Sequence, residues 1–200
     1  MKIELQNFIE KITRSSRAID KEGLCILSGK LVWSVSVSLH LLNDDGNIFD
    51  AAFLAAVLAL KNTRLPEVTM TRDKIRINDS KLKYLNVHHI PICTTFYFLK
   101  DMPETPVLDV TAKEEKLCTA RLSIVMNAYE DICGMSSLGA LEVDDQMQLL
   151  KYMKDALVQT KAITTLIRDK WEARSSYFAL LDQSAAPRPT SLKRRAQEFI

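Results

Sequence analysis

The sequence lacks the features that mark several classes of protein. Its 200 residues contain four cysteines, but these lie far apart and form no CxxC pair. The first residues, MKIELQNFIEK, contain no apolar segment of the kind that a secretion signal needs. The longest charge-free apolar stretch, 31–42, is shorter than the roughly 20 residues of a membrane helix. We therefore expect reduced thiols, no membrane span, and a location in the cytosol or nucleus.

Motifs for nucleotide, metal or nucleophile chemistry are also missing. The glycines form neither GxGxxG nor GxxxxGK[ST], which argues against a kinase or a dehydrogenase. His88 and His89 with Cys93 make the only His/Cys grouping, whereas structural zinc needs four converging ligands. His40 is accompanied by no recognised nucleophile motif. We predict no metal, no cofactor and no hydrolytic triad.

Composition and charge are those of an ordinary globular domain. Hydrophobic residues make up 47% and charged residues 26%, and 27 Lys and Arg against 25 Asp and Glu leave a net charge of +2. A charge this small excludes strong global attraction to nucleic acid, so any RNA contact must be local. We predict one domain over 1–183 and a disordered basic tail over 184–200. In the tail, Lys193, Arg194 and Arg195 are candidates for RNA contact or nuclear import, or form only a solvated end.

Hydrophobic periodicity predicts an α+β protein with a mainly antiparallel sheet. Helical spacing predicts an amphipathic helix over about 3–18, and alternation over 31–42 predicts the clearest strand. After turn residues at 43–47, the stretch 48–61 is apolar on all sides and predicts a buried helix that Pro66 stops. The remaining patterns predict a hairpin at 68–77, strands at 90–99, 107–110, 117–126 and 132–135, and a long helix from about 143 to at least 168.

One acidic group is a candidate for chemistry. Asp109, Glu114 and Glu115 are predicted at a strand end and the turn that follows it. Paired carboxylates there could bind a metal ion or act as acid and base. The residues alone leave this open beside a charged turn without chemistry, which is the commoner arrangement.

Four stretches resemble the RNase PH-like ring subunits of the eukaryotic RNA exosome. They are LCILSGKLVW at 24–33, LLNDDGNIFDAAFLAAVLALKNTRLPEVT at 41–69, YLNVHHIPICTTFYF at 84–98, and VLDVTAKEEKLCTARLSIVMN at 107–127. Within the family, GKLVW, ALKNTRLPEVT and LSIVMN are most similar to the subunit called exosome component eight, or Opa-interacting protein two. SLHLLNDDGNI and HHIPIC are similar to the polymyositis-scleroderma autoantigen type, the second alternative.

The resemblance implies an RNase PH-like fold, also described as ribosomal protein S5 domain 2-like. Members normally have about a third of the fold upstream of the first helix seen here, including basic residues used for phosphate and RNA. We therefore expect an N-terminally truncated domain, or one in which other residues replace the missing strands. The exposed sheet edge would favour aggregation unless a partner covers it.

The resemblance also indicates whether the acidic group is catalytic. Active phosphorolytic members have an Asp at the position of Asp109, acidic residues near Glu114 and Glu115, and a catalytic Asp where this chain has Arg121. A guanidinium cannot act as a general acid or base at neutral pH. We expect a remnant acidic site and no catalytic residue, with Asp109 and the acidic turn capping or positioning the next strand.

The leading hypothesis is a non-catalytic scaffold in the exosome ring. Such a subunit would bind other RNase PH-like ring subunits, cap proteins and RNA, and would support 3′ to 5′ processing of rRNA and turnover of mRNA in the nucleus, nucleolus and cytoplasm. Two alternatives stay open. One is a residual phosphate-dependent 3′ exoribonuclease, and the other is a truncated product without function.

Overall fold

The computed structural model describes residues 2–71, 74–100, 102–139 and 146–182. The chain divides into two compact units, Met1–Thr164 and Thr165–Ile200, and the last helix runs from the first into the second. The helices are α1 Lys2–Ser15, α2 Ile48–Asn62, α3 Ala112–Glu115 and α4 Gln146–Asp182. The strands are β1 Cys25–Leu27, β2 Leu31–Val32, β3 Arg64–Thr71, β4 Lys74–Tyr84, β5 Ile92–Leu99, β6 Met102–Leu108, β7 Cys118–Met126 and β8 Ile132–Gly139.

The main sheet has four strands in the order β6-β5-β7-β8, and every neighbouring pair is antiparallel. The predicted antiparallel sheet is therefore confirmed. In the central pair, Thr95 lies opposite Ser123 and Tyr97 lies opposite Arg121. Nearly every residue of β5 and β7 is buried, because helices cover both faces of these two strands.

Two hydrophobic clusters lie on opposite faces of this sheet. The first joins α1 and α2 to the sheet and contains Leu5, Phe8, Ile9, Ile12, Ile48, Phe49, Ala52, Phe53, Ala56, Val57, Cys93 and Val125. The Phe8 ring packs 5.8 Å from Phe49 and 6.0 Å from Phe53, between centroids. The second cluster packs α4 on the sheet through Phe96, Phe98, Ala120, Leu122, Ile124, Met126, Tyr152 and Ala156.

Helix α2 is buried on one face only, so the prediction of a helix buried on all sides is wrong. Ala51, Ala55 and Ala59 are exposed, and they recur at intervals of four residues along the outer side. Leaving alanine in water costs little, since its side chain is a single methyl group. The helix ends at Asn62, four residues before Pro66, which itself lies in β3.

The predicted strand over 31–42 is the second correction. Only Leu31 and Val32 pair, with β1, and residues 33–44 have no regular secondary structure. Val37 is 43% exposed, Leu41 49% and Leu42 97%. A strand needs a neighbour for its backbone groups as well as alternation, and no described strand pairs with residues 33–42.

The remaining predicted elements are confirmed with shifted ends. The hairpin predicted at 68–77 is the longer pair β3 and β4, which forms a separate two-stranded sheet. Its register shifts between Pro66 and Glu67, where proline has no N–H to donate. The final helix extends to Asp182, beyond the predicted minimum. Within the described ranges, no helix combines the length and the apolar character needed to cross a membrane.

The turn before α2 packs directly on the loop after β6. Gly46 has a φ of 98°, and a Cβ atom there would lie 2.3 Å from the carbonyl oxygen of Val110. The backbone N–H of Ala112 donates to the carbonyl oxygen of Asp45 (3.0 Å), which fixes the two loops together. Glycine is thus needed at position 46 for its conformation and for its size.

We predict that Gly46→Ala lowers the free energy of unfolding by about 3 kcal/mol or more, because strain and a clash add. Gly29→Ala is the matched control. Gly29 has a φ of 73°, but a Cβ atom there meets nothing within 4 Å, so its loss should be about 1 kcal/mol. Urea unfolding of both variants measures the difference, and equal losses would contradict the close contact at Gly46.

Candidate functional site

A polar network lies between the first turn of α2 and strands β5 and β7. One oxygen of the Asp50 carboxylate accepts from the Thr95 hydroxyl (2.7 Å), and the other accepts from the Thr95 backbone N–H (3.0 Å). The Asn47 side-chain amide also donates to Asp50 (3.1 Å). The Thr95 and Ser123 hydroxyls are 2.9 Å apart and fully buried. Since Thr95 donates to Asp50, Ser123 donates to Thr95, and a continuous hydrogen-bonded chain results.

Burial dominates the electrostatics of this network. It raises the pKa of Asp50 above its ordinary value, although hydrogen bonds from Thr95, Cys93 and Asn47 oppose the rise. Burial likewise raises the pKa of the Cys93 thiol, and the nearby Asp50 carboxylate raises it further. A thiol held in its protonated form is a poor nucleophile, so Cys93 is a core residue rather than a reactive one.

Asn47 connects this network to the predicted acidic site. Its side-chain amide donates to Asp109 (3.3 Å), and its carbonyl oxygen accepts from the buried Tyr97 hydroxyl (3.4 Å). Asp109 follows the end of β6 and has a φ of 54°, a left-handed conformation that aspartate tolerates better than most residues. Asn47 and Asp109 thus hold the turn before α2 against the end of β6.

The two glutamates of the predicted site have different surroundings. Glu114 forms a capping box with Thr111: its carboxylate accepts from the Thr111 backbone N–H (2.8 Å), and the Thr111 hydroxyl accepts from the Glu114 N–H (3.5 Å). The bond from the Thr111 backbone lowers the pKa of Glu114. Glu115 is half-buried, and its charge adds to the burial that raises the pKa of Tyr97. Glu114 therefore has a structural role at the start of α3.

Arg121 is buried within the same layer of the molecule. It lies on β7 opposite Tyr97, and its guanidinium binds the Glu4 carboxylate of α1 (2.6 Å between Nη2 and Oε1). The guanidinium carbon also lies 3.8 Å from the centroid of the Phe49 ring of α2. Arg121 thereby holds α1 and α2 on the sheet.

The other predicted candidates lie apart from this network or outside the described residues. His89 binds the carbonyl oxygen of Ser16 through Nε2 (2.7 Å), and His40 is exposed. Across the described ranges, no three His, Cys, Asp or Glu side chains come together as a metal site would require. The tail residues Lys193, Arg194 and Arg195 lie outside the described residues, and so does the predicted tail boundary at 183/184.

Sequence reasoning missed most of the network, although signals for it were present. Asp50 is the one charged residue in the apolar run from Ile48 to Leu60. Thr95 and Ser123 interrupt buried strands at inward positions, where a polar side chain needs a partner. A lone acid in an apolar helix and hydroxyls in apolar strands together indicate that these elements pack on each other.

Comparison with known proteins relates both halves of the first unit to one family. Residues 1–66 match the model of domain 1 of the 3′ exoribonuclease family, and residues 89–156 match the model of its domain 2. The two models together cover about two thirds of the chain, in the order in which the family's domains are numbered.

Several curated proteins are similar over most of the chain. The exosome complex component RRP45 of Bos taurus is 34% identical over 200 residues, which cover 96% of this chain and 45% of that protein. RRP45A of Arabidopsis thaliana is 38% identical, covering 86% of this chain and 57% of that protein. The chain thus spans about half the length of these relatives. The expected similarity to exosome component eight is not confirmed, since these relatives carry the name RRP45.

Solved structures share the fold. A chain of the Archaeoglobus fulgidus exosome with RNA bound to the active site superposes with a TM-score of 0.69 at 24% identity, covering 82% of this chain and 61% of that one. A chain of an archaeal exosome core superposes with a TM-score of 0.63 at 28% identity, covering 76% and 57%. The predicted RNase PH-like α+β fold is confirmed.

We predict that the stability of Asp50→Asn relative to wild type increases as pH rises. The folded pKa of Asp50 is raised, so its contribution to stability is full below the unfolded value and is lost as pH rises through the folded value. Each pKa unit between the two states is worth about 1.4 kcal/mol. Urea unfolding at about pH 4 and pH 7.5 measures the change.

Asp20→Asn is the control for this experiment. The hydrogen bond from the backbone N–H of Gly23 lowers the pKa of Asp20. The wild-type protein therefore gains stability relative to the Asp20→Asn variant as pH rises. The two variants should therefore respond to pH with opposite signs. A pH-independent difference between Asp50→Asn and wild type would contradict the effect of burial.

Proposed function

Because the chain belongs to the 3′ exoribonuclease family, which has the RNase PH fold, we propose that it is a non-catalytic ring subunit of an RNA exosome. In this role it binds other RNase PH-like ring subunits and cap proteins and helps to form the RNA path. Among the ring subunits, we propose the RRP45 type, on the basis of its named relatives. Processing of rRNA, turnover of mRNA and localisation to the nucleus, nucleolus and cytoplasm belong to the same proposal.

The surroundings of Arg121 are the observation that carries the non-catalytic role. By the resemblance described above, active members have an aspartate at this position. Here the side chain is buried, bound to Glu4 and stacked on Phe49, so it connects helices, and a guanidinium cannot serve as a general acid or base. A carboxylate introduced at this position would lie beside Glu4, and the two negative charges would repel each other.

The acidic group supports the same interpretation. Asp109 accepts a hydrogen bond from Asn47, and Glu114 caps α3, so two of the three carboxylates are engaged within the turn. A catalytic carboxylate must instead reach the substrate, directly or through one water molecule. We propose that Asp109, Glu114 and Glu115 are a remnant of a site and now position the loop before β7.

The assembled chain tests this function. We expect the full chain, co-expressed with a second RNase PH-family subunit, to form a stable complex and to give a higher soluble yield than alone, because a partner that binds only the folded state stabilises it. The complex should release no nucleoside diphosphate from RNA in the presence of phosphate. Size-exclusion chromatography and a phosphorolysis assay measure the two results, with a catalytic member of the family as positive control.

The variant Arg121→Asp tests why activity is absent. It distinguishes loss of the acid at position 121 alone from loss of the whole catalytic site. We expect this variant to stay inactive and to unfold more readily by about 3 kcal/mol or more, since the ion pair between Arg121 and Glu4 would be lost and a carboxylate would be buried beside Glu4. Phosphate-dependent release of nucleoside diphosphate by the wild type, lost on Asp109→Ala, would overturn the non-catalytic proposal. Absence of any complex with family subunits would overturn the scaffold role.

For the tail, we propose that Lys193, Arg194 and Arg195 contribute to RNA contact or nuclear import. The motive is sequence: the region holds Arg188 as well and only Glu198 as an acid. If the tail binds RNA, replacing the three residues by Ala should lower the affinity of the complex and flatten its salt dependence by about two units of slope for single-stranded RNA. Unchanged affinity and unchanged localisation would show that the tail is only a solvated end.

A further inference from the structure

We propose that the β3–β4 hairpin, over its described residues 64–71 and 74–84, binds single-stranded RNA. The inference rests on the proposed function, because it takes RNA as the ligand of the assembled protein, and it assigns that ligand to a surface remote in sequence from Asp109 and Arg121. Three observations support it: the local charge, an arginine stacked on an exposed tyrosine, and an uncovered apolar face.

The hairpin concentrates positive charge. Residues 64–84 contain six Lys and Arg against three Asp and Glu, a net +3, whereas the whole chain has only +2. On the described side chains, Arg64, Arg76, Lys81 and Lys83 are all exposed. Lys81 and Lys83 share a single carboxylate, that of Glu67 (3.9 and 2.9 Å), so pairing leaves the hairpin cationic. Exposed pairs of this kind are weak, and a phosphate group can compete for either lysine.

The base of the hairpin carries a flat cationic platform. The Arg64 guanidinium carbon lies 4.6 Å from the centroid of the Tyr84 ring, and its Nη2 donates to the Tyr84 hydroxyl. The two residues are direct partners across the strands, and Tyr84 is 51% exposed. Unpaired bases stack on tyrosine rings and on guanidinium planes, so this pair suits single-stranded RNA. The acidic surface of a protein partner would not require such a stacking pair.

The same face of the hairpin continues as apolar surface. Alternation along β3 places Pro66 and Val68 on the side of Arg64, and their partners across the strands are Leu82 and Ile77. Leu82 is 52% exposed and Ile77 44%. A two-stranded sheet standing alone is marginal in water, so bases laid on this face would both bind and stabilise it. Lys83 lies opposite Leu65, on the face of the hairpin away from Arg64. From that face its side chain can reach the phosphates of the bound RNA.

The test compares the full chain with two variants of equal charge change. Arg64→Gln/Arg76→Gln/Lys83→Gln removes three exposed cations from the hairpin, and Lys11→Gln/Arg14→Gln/Lys30→Gln removes three exposed cations elsewhere. Each set contains one residue paired with a glutamate, Lys83 with Glu67 and Arg14 with Glu10. Fluorescence anisotropy with a labelled 20-nucleotide uridine oligomer measures affinity at several salt concentrations.

We expect the hairpin triple variant to weaken binding about tenfold or more at low salt and to reduce the salt slope by about two units. The control triple variant should weaken binding by about twofold or less. Tyr84→Ala should weaken binding about fivefold or more, whereas Tyr129→Ala, which alters a more exposed tyrosine on the β7–β8 turn, should leave binding unchanged. Unchanged circular dichroism and melting temperature check that the variants fold.

Other outcomes overturn the inference. Equal weakening of RNA binding by both triple variants would show only a global charge effect. If the wild type binds no RNA, the proposal that the hairpin binds RNA is wrong. Loss of the complex with family subunits at unchanged RNA affinity would instead identify the hairpin as a protein contact. Complex formation is scored separately from anisotropy, so failure of the RNA surface leaves the scaffold role standing, and failure of the scaffold role is seen on its own.

Discussion

The polar groups between α2 and the four-stranded sheet must satisfy one another, because helices cover the central strands on both faces and exclude water. Asp50 meets this constraint by accepting hydrogen bonds from Asn47, the Thr95 backbone and the Thr95 hydroxyl. Ser123 extends the chain of bonds onto β7. An unpaired carboxylate in this place would cost several kcal/mol, so the position of α2 on the sheet is fixed by hydrogen-bond geometry as well as by the phenylalanine cluster.

The same hydrogen-bond network also positions the loops around the predicted acidic site. Asn47 accepts from Tyr97 and donates to Asp50 and Asp109, so the same residue that begins α2 also holds the end of β6. Arg121 repeats the arrangement from the other side, with Glu4 of α1 and Phe49 of α2 as partners. These side chains are thus fixed by contacts that hold the helices and loops on the sheet. The proposed scaffold role rests on this arrangement.

The sequence predicted the elements that depend on local or short-range patterns. The helices α1, α2 and α4 and the antiparallel strands follow from spacing, and the DGN turn follows from the conformational needs of Gly46. The wrong predictions concern features that depend on what surrounds a residue in the folded chain. Alternation over 31–42 satisfies a strand pattern without a pairing neighbour, and Ala51, Ala55 and Ala59 of α2 are apolar without being buried. Asp50 and Thr95 are 45 residues apart, so their bond could be inferred only by asking which buried polar residues lack a local partner.

Net charge hides the distribution on which binding depends. The chain as a whole carries +2, yet residues 64–84 alone carry +3, so the rest of the molecule is slightly acidic. At physiological salt an exposed charge acts over only about 8 Å, so a polyanion responds to the hairpin and not to the sum over the chain. The cores of protein–protein interfaces, by contrast, are depleted in charged residues. In the proposed role, this division of charge separates the surface that binds RNA from the surfaces that bind neighbouring subunits, so neither requirement weakens the other.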